Sequence, residues 1–186
     1  MKLFIKNMVC NRCKMVVKSE LEKFGLTAIA VNLGNVEIVE NLTKESEFKL
    51  NQMLIPLGFT LIDDKKSRVV EKIKNLIIEL VYSEINILKT NLSDYITNKI
   101  GQDYSYTSNL FSQQESITLE QYYILQKIER VKELIIYDEL TLNEIAFQLN
   151  YSSASHLSKQ FKKVVGITPT FYKNHKGMER NSIENL

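Results

Sequence analysis

Thr141 to Tyr172 (TLNEIAFQLNYSSASHLSKQFKKVVGITPTFY) constrains the chain more than any other stretch, because it sets two short helices and the break between them. Leu142, Ile145, Ala146 and Leu149 recur at helical spacing, which predicts one amphipathic helix. Asn150 to Ser153 interrupt that pattern with turn-forming residues. A second helix follows, with Ala154, Leu157 and Phe161 on its apolar side and Ser155, His156, Lys159, Lys162 and Lys163 on the other. Gly166 stops it, and Thr168-Pro169 reads as the N-cap and first position of a third helix. Two helices joined by a tight turn, the second exposing hydroxyl, imidazole and ammonium groups, have the layout of a helix-turn-helix.

The pattern occurs twice. Ser108, Phe111, Ser116-Ile117-Thr118 and Tyr122 sit 50 positions ahead of Ser158, Phe161, Gly166-Ile167-Thr168 and Tyr172. Leu92, Ile96 and Ile100 predict the first helix of this earlier unit, and Gly101 to Asp103 its turn. Tyr104 to Gln113 predicts its second helix, with Leu110 and Phe111 inward. Between the units, Leu119 to Tyr137 reads as one long helix with Ile128, Val131, Leu134 and Ile135 inward.

Charge is segregated. The chain carries a net +2, which says little, but from Glu115 to Glu144 seven acids face only Lys127, Arg130 and Lys132. Between Glu144 and Glu179 no acid occurs, while Lys159, Lys162, Lys163, Lys173 and Lys176 do. A polyanion is the partner that such a patch fits.

The order I-A-F-Q-L-N-Y-S-S, H-L-S-K-Q-F-K-K, G-I-T-P, F-Y-K, running from Leu142 to Lys173, resembles the second helix-turn-helix of the AraC/XylS transcription regulators. The resemblance implies sequence-specific binding of double-stranded DNA by residues 91–176, through two units on successive major-groove segments. It places Ser155, His156 and Lys159 of the second recognition helix on bases, with Ser152 and Ser153 beside them. In the first recognition helix the same mapping gives Ser105, Ser108 and Asn109. Lys162, Lys163 and Lys173 fall to phosphates, which position the protein without reading sequence. Asn109 and Lys159 stand where the family often has Arg, so bidentate guanine contacts are weaker here, and Asn109 suits adenine instead. Thr97 replaces the Ala at which the first pair of helices cross, and Thr107 replaces a Leu. A buried or capping role is the alternative for His156. RNA polymerase and a second copy of the chain stand as further partners.

Residues 1–66 read differently. Lys2 to Asn7 begins as a strand, and Cys10-Asn11-Arg12-Cys13 opens a helix through Val16, Val17, Leu21 and Phe24. Thr27–Leu33 and Val36–Glu40 are β-branched runs around the hairpin signal Gly34-Asn35. Thr43 starts a second helix with Phe48, Leu50, Met53, Leu54 and Leu57 apolar, and Phe59–Ile62 ends the unit as a strand. The order β-α-β-β-α-β packs as an antiparallel sheet with both helices on one face, a ferredoxin-like domain.

A strand, Met8-Val9-Cys10-Asn11-Arg12-Cys13 and a helix in that setting resemble the heavy-metal-associated domain of copper chaperones and metal-transporting ATPases. Asn7 and Val9 depart from its usual Gly and Thr. Two thiols two residues apart at a helix N-terminus favour soft Cu(I) as a metal at Cys10 and Cys13, with Zn(II) and Hg(II) behind it. A structural pair and a redox dithiol are the other readings. DNA binding itself requires no cofactor.

Val69, Ile73, Ile77, Leu80, Val81, Ile85 and Leu88 form an apolar stripe in a linker helix over 67–90, suited to docking on a neighbouring domain; residues 177–186 read as a frayed tail. With 44% hydrophobic residues, 6 Gly and 2 Pro the chain is ordered and globular. No signal peptide or membrane span is expected, which points to the cytoplasm, and no catalytic constellation is legible. The fold class expected is α+β: a ferredoxin-like domain, a linker helix and an all-α domain of two helix-turn-helix units joined by a long helix. The competing expectation is a metal-binding or delivery protein with a helical interaction module; another is a regulator whose N-terminal domain docks a protein.

Overall fold

A computed structural model describes residues 1–83 and 91–175, which divide into two compact units between Asn75 and Leu76. The first contains β1 (Lys2–Lys6), α1 (Asn11–Lys23), β2 (Ala28–Asn32), β3 (Asn35–Ile38), α2 (Lys44–Leu54), β4 (Thr60–Leu61) and the start of α3 (Lys65–Tyr82). The strands lie in the order β2-β3-β1-β4 and every neighbouring pair is antiparallel.

Alternation along the strands explains the core. Leu3 and Ile5 of β1, with Val36 and Ile38 of β3, form one buried cluster with Val17 and Leu21 of α1 and Leu50 and Leu54 of α2. Burying each such side chain stabilises the fold by about 1.5–3 kcal/mol. Phe48, expected inward, is 64% exposed. Leu50 and Leu54, one turn apart, set the inward face of α2, and a residue two before Leu50 falls on the opposite side. Leu57 is exposed too, because it lies in the 3-10 turn Ile55–Leu57 that follows the helix.

Phe4 belongs to the other side of β1, and the Arg68 guanidinium of α3 sits 4.3 Å from its ring centroid. Asn75 reaches Gly34, where a Cβ would stand 2.5 Å from the amide nitrogen; the φ of +77° there also asks for glycine. The helix read as a linker therefore begins as part of this unit. It runs to Tyr82; Ile85 and Leu88 of the apolar stripe lie outside the described residues, as do Lys176 and the tail.

The second unit contains the end of α3, then α4 (Leu92–Ile100), α5 (Tyr104–Glu115), α6 (Leu119–Tyr137), α7 (Leu142–Gln148), α8 (Ala154–Val165) and α9 (Pro169–Asn174). The 50-residue offset appears in its caps. Asn91 and Thr141 cap α4 and α7, Asp103 and Ser153 cap α5 and α8, and Thr118 and Thr168 cap α6 and α9. Each side chain accepts a backbone N–H that the helix start would otherwise leave unpaired. Ser116 and Gly166 end α5 and α8 at φ of 60° and 88°. Phe111 meets Tyr122 at 5.4 Å between ring centroids, and Phe161 meets Tyr172 at 5.6 Å.

The same offset corrects one assignment. The counterpart of Ala146 is Ile96, fully buried, and not Thr97, which is half-buried. No helix among the described residues is long and apolar enough to cross a membrane.

Candidate functional site

Helix α8 is built to present one face. Leu157 and Phe161, four residues apart, are fully buried and set the inward face, so the opposite face of the helix turns outward. Ser155, His156, Lys159, Lys162 and Lys163 are all exposed there. Ser153 caps the helix by accepting the His156 N–H at 3.1 Å, so its hydroxyl already has a structural duty. Ser152 and His156 are joined side chain to side chain, Oγ to Nδ1, at 3.1 Å. His156 is thus neither buried nor the cap itself; its imidazole stands at the exposed start of the helix, where a recognition helix contacts base edges. Lys162 and Lys163 occupy the last turn, where cations also favour the helix dipole.

Lys173, read as a phosphate contact, forms an ion pair with Asp138 just past the end of α6. Both partners are half-exposed, so the pair is weak and open to exchange for a phosphate.

Helix α5 offers less. Ser105 and Asn109 are exposed, but Ser108 is half-buried and its hydroxyl donates to the Ser105 carbonyl oxygen at 3.3 Å. At the 50-residue offset His156 corresponds to Tyr106, which is 51% exposed and lies outside the three residues that the resemblance points to; the repeat is the signal that finds it. Thr107, the counterpart of Leu157, is fully buried, and its hydroxyl donates back to the carbonyl oxygens of Asp103 and Tyr104, both at 3.1 Å. A polar residue is tolerated in that core because its one donor is satisfied within the helix. Tyr104 donates to the Glu120 carboxylate, tying the start of α5 to the start of α6.

The turn between α7 and α8 holds a group that hydrophobic patterning did not predict. Lys127 of α6 is only 6% exposed, with Nζ 3.6 Å from the Tyr151 ring centroid and 5.2 Å from that of Tyr123. It also stands 3.5 Å from the carbonyl oxygen of Asn150, which adopts φ 54° as α7 ends. Burial lowers the Lys127 ammonium to about 8. The Tyr151 ring in turn meets His156 edge-on, with centroids 5.5 Å apart.

In the first unit the two thiols converge. Cys10 is the N-cap of α1 and exposed, Cys13 is buried one turn in, and their sulfurs are 3.3 Å apart. Two thiolates on a tetrahedral ion with bonds of about 2.3 Å stand roughly 3.8 Å apart, somewhat wider than the separation of these sulfurs. Soft sulfur donors fit a soft cation. No group of three or more His, Cys, Asp or Glu is arranged for a metal among the described residues. The two thiols differ in their surroundings, and those of Cys13 disfavour the thiolate. Burial first, and the hydrogen bond with Cys10 second, push its thiol up, outweighing the backbone N–H groups that act the other way.

The loop before the thiols is anchored. Asn7, where the resembling family has Gly, adopts φ 70°, a conformation that Asn tolerates. Its N–H donates to the buried Glu71 of α3 at 2.8 Å, and its side-chain amide donates to the Gly58 carbonyl oxygen at 2.9 Å.

Residues 96–175 match a family described as a helix-turn-helix domain. The chain is 25% identical over 181 residues to the Photobacterium leiognathi protein named "Probable transcriptional regulator LumQ", an alignment spanning 89% of this chain and 70% of that one. It is 26% identical over 97 residues to the Escherichia coli transposon Tn10 TetD protein, spanning 52% and 70%. The fold of the C-terminal domain of AraT, a response regulator from Geobacillus stearothermophilus, superposes with a TM-score of 0.52 at 20% identity, covering 64% of this chain and 94% of that one.

Proposed function

We propose that this chain, whose residues 96–175 form an AraC-type helix-turn-helix domain, is a transcription regulator that reads double-stranded DNA chiefly through α8. The observation that carries the reading is the exposed row Ser155, His156, Lys159, Lys162 and Lys163, set over buried Leu157 and Phe161. Ser155, His156 and Lys159 face base edges; Lys162 and Lys163 neutralise phosphates. A fluorescence-anisotropy titration at several salt concentrations tests this. Affinity that falls steeply with salt and prefers one sequence supports it, and weak, salt-insensitive binding refutes it.

The finer reading is that the first unit is a ferredoxin-like, heavy-metal-associated-like domain whose Cys10 and Cys13 take a soft metal, Cu(I) foremost. The sheet order β2-β3-β1-β4 and the converging sulfurs support it. A bound soft cation would supply charge and hold both thiols as thiolates. The chain's own contribution is the Asn7–Glu71 hydrogen bond, which ties the thiol loop to α3. Metal shifts DNA affinity only if it binds two arrangements of that loop unequally. Cu(I) changing the DNA affinity of the reduced protein, but not that of the Cys10→Ser/Cys13→Ser variant, is the expected result. No change in either protein refutes metal response while leaving DNA binding intact.

A further inference from the structure

We propose that Lys127 is a positioning residue for sequence reading: its ammonium, held over the face of Tyr151, fixes that ring, and the ring in turn fixes His156 at the start of α8. The inference rests on the DNA-binding reading and adds a residue that does not itself face the DNA. Lys127 lies on α6, outside the two helices α7 and α8, yet it touches two residues of the turn that joins them: the Tyr151 ring at 3.6 Å and the Asn150 carbonyl oxygen at 3.5 Å. A desolvated ammonium over an aromatic face is strongly attracted to the ring quadrupole, and the attraction is directional. It holds Tyr151 flat beneath Nζ. The same ring then meets His156 at a right angle, 5.5 Å between centroids at 87°, and the Ser152 hydroxyl lies 3.1 Å from Nδ1. The imidazole is thereby gripped by two neighbours before any DNA arrives, which is the preorganisation that discriminating between base pairs requires.

Two observations favour positioning over packing. An apolar side chain would fill this place more cheaply, since burial works against the lysine charge. And the first helix-turn-helix lacks the device: Gly101 stands 50 residues before Tyr151 and brings no ring, while Tyr106 stands in the place of His156.

The experiment uses the full chain and the variants Lys127→Met, Lys127→Arg, His156→Ala and Lys127→Met/His156→Ala. Affinities are measured for a duplex enriched by the wild-type protein from a random pool and for an alternating copolymer duplex; imidazole resonances of His156 are recorded without DNA. Lys127→Met is expected to weaken the enriched duplex about tenfold, leave the copolymer within about twofold, and shift the His156 resonances. Lys127→Arg, which keeps a cation able to stack, is expected to retain the wild-type preference. In the His156→Ala background Lys127→Met should cost nothing more. Equal loss on both duplexes, full additivity with His156→Ala, or unmoved His156 resonances would overturn the proposal. Should no duplex be enriched, the DNA-reading proposal fails and the role in sequence reading falls with it, while the resonances, which Lys127→Arg should preserve, show separately whether Lys127 fixes His156.

Discussion

The two helix-turn-helix units share a scaffold and differ in the surface that it displays. Their caps, their chain-reversing stops and their ring pairs recur at one offset, down to centroid distances of 5.4 and 5.6 Å. Yet residues 92–115 hold three acids and one lysine, whereas residues 142–165 hold three lysines and one acid. Helix α5 carries no cation at all, and α8 carries Lys159, Lys162 and Lys163. The difference teaches that caps and rings are demanded by folding and so recur together, while exposed faces answer to the partner. Positive charge is concentrated in the second helix-turn-helix, and the first displays neutral polar groups.

The strongest break of the comparison is in the cores. Phe111→Ala and Phe161→Ala should each lower unfolding free energy by about 3–5 kcal/mol in denaturant titrations, to similar extents, because both rings are fully buried against a tyrosine. A large inequality would mean that the units are not equivalent scaffolds. Next comes charge. Replacing Lys159, Lys162 and Lys163 by Gln should weaken DNA binding about a hundredfold and flatten the dependence of log affinity on log salt by roughly 2–3 units, while Asn109→Ala leaves that slope alone. An unflattened slope after the triple change would move the DNA contact off α8.

Lys127 titrates near 8 in the folded chain against an ordinary 10.5. Between those values the unfolded chain holds a proton that the folded one has lost, so wild-type stability rises with pH across that window. Below about pH 8 both states are charged and the cost of burial is felt in full. Lys127→Met should therefore be more stable than wild type at pH 7 by about 1–3 kcal/mol, after allowance for the lost cation–π attraction, with the gap closing towards pH 10.5. Thermal unfolding at pH 7 and pH 10 checks the sign. The smallest effect is at the caps, where Thr118→Ala and Thr168→Ala should each cost about 1 kcal/mol in chemical denaturation; a clear difference between them would show that only one unit depends on its third helix.

Much of this architecture was legible because it is written in local chemistry. The long helix from Leu119 to Tyr137 and the start of α9 at Thr168-Pro169 followed from periodicity and capping residues alone. What stayed hidden involves side chains acting against type. Lys127, Glu129 and Lys132 enter the sequence only as charges of an acidic stretch, but tertiary packing buries them, Lys132 paired with Glu129 at 2.5 Å. Phe48 read as core and faces water. The place of Tyr106 was obscured because serines on either side offered more familiar contacts. Nor does any pattern within residues 1–66 announce that Arg68 will stack on Phe4 or that Glu71 will take the N–H of Asn7. Those contacts join residues 64 apart in the chain, and periodicity is blind to them.

Helices α5 and α8 are each 12 residues long and lie between a side-chain cap and a left-handed stop set at matching positions. For protein engineering this makes the segment a cartridge. Residues 103–116 and 153–166 exchange with no change of loop length, so a chain carrying two copies of the basic helix, or none, is a direct construction, and the reading surface becomes a part that is replaced while its mount stays in place.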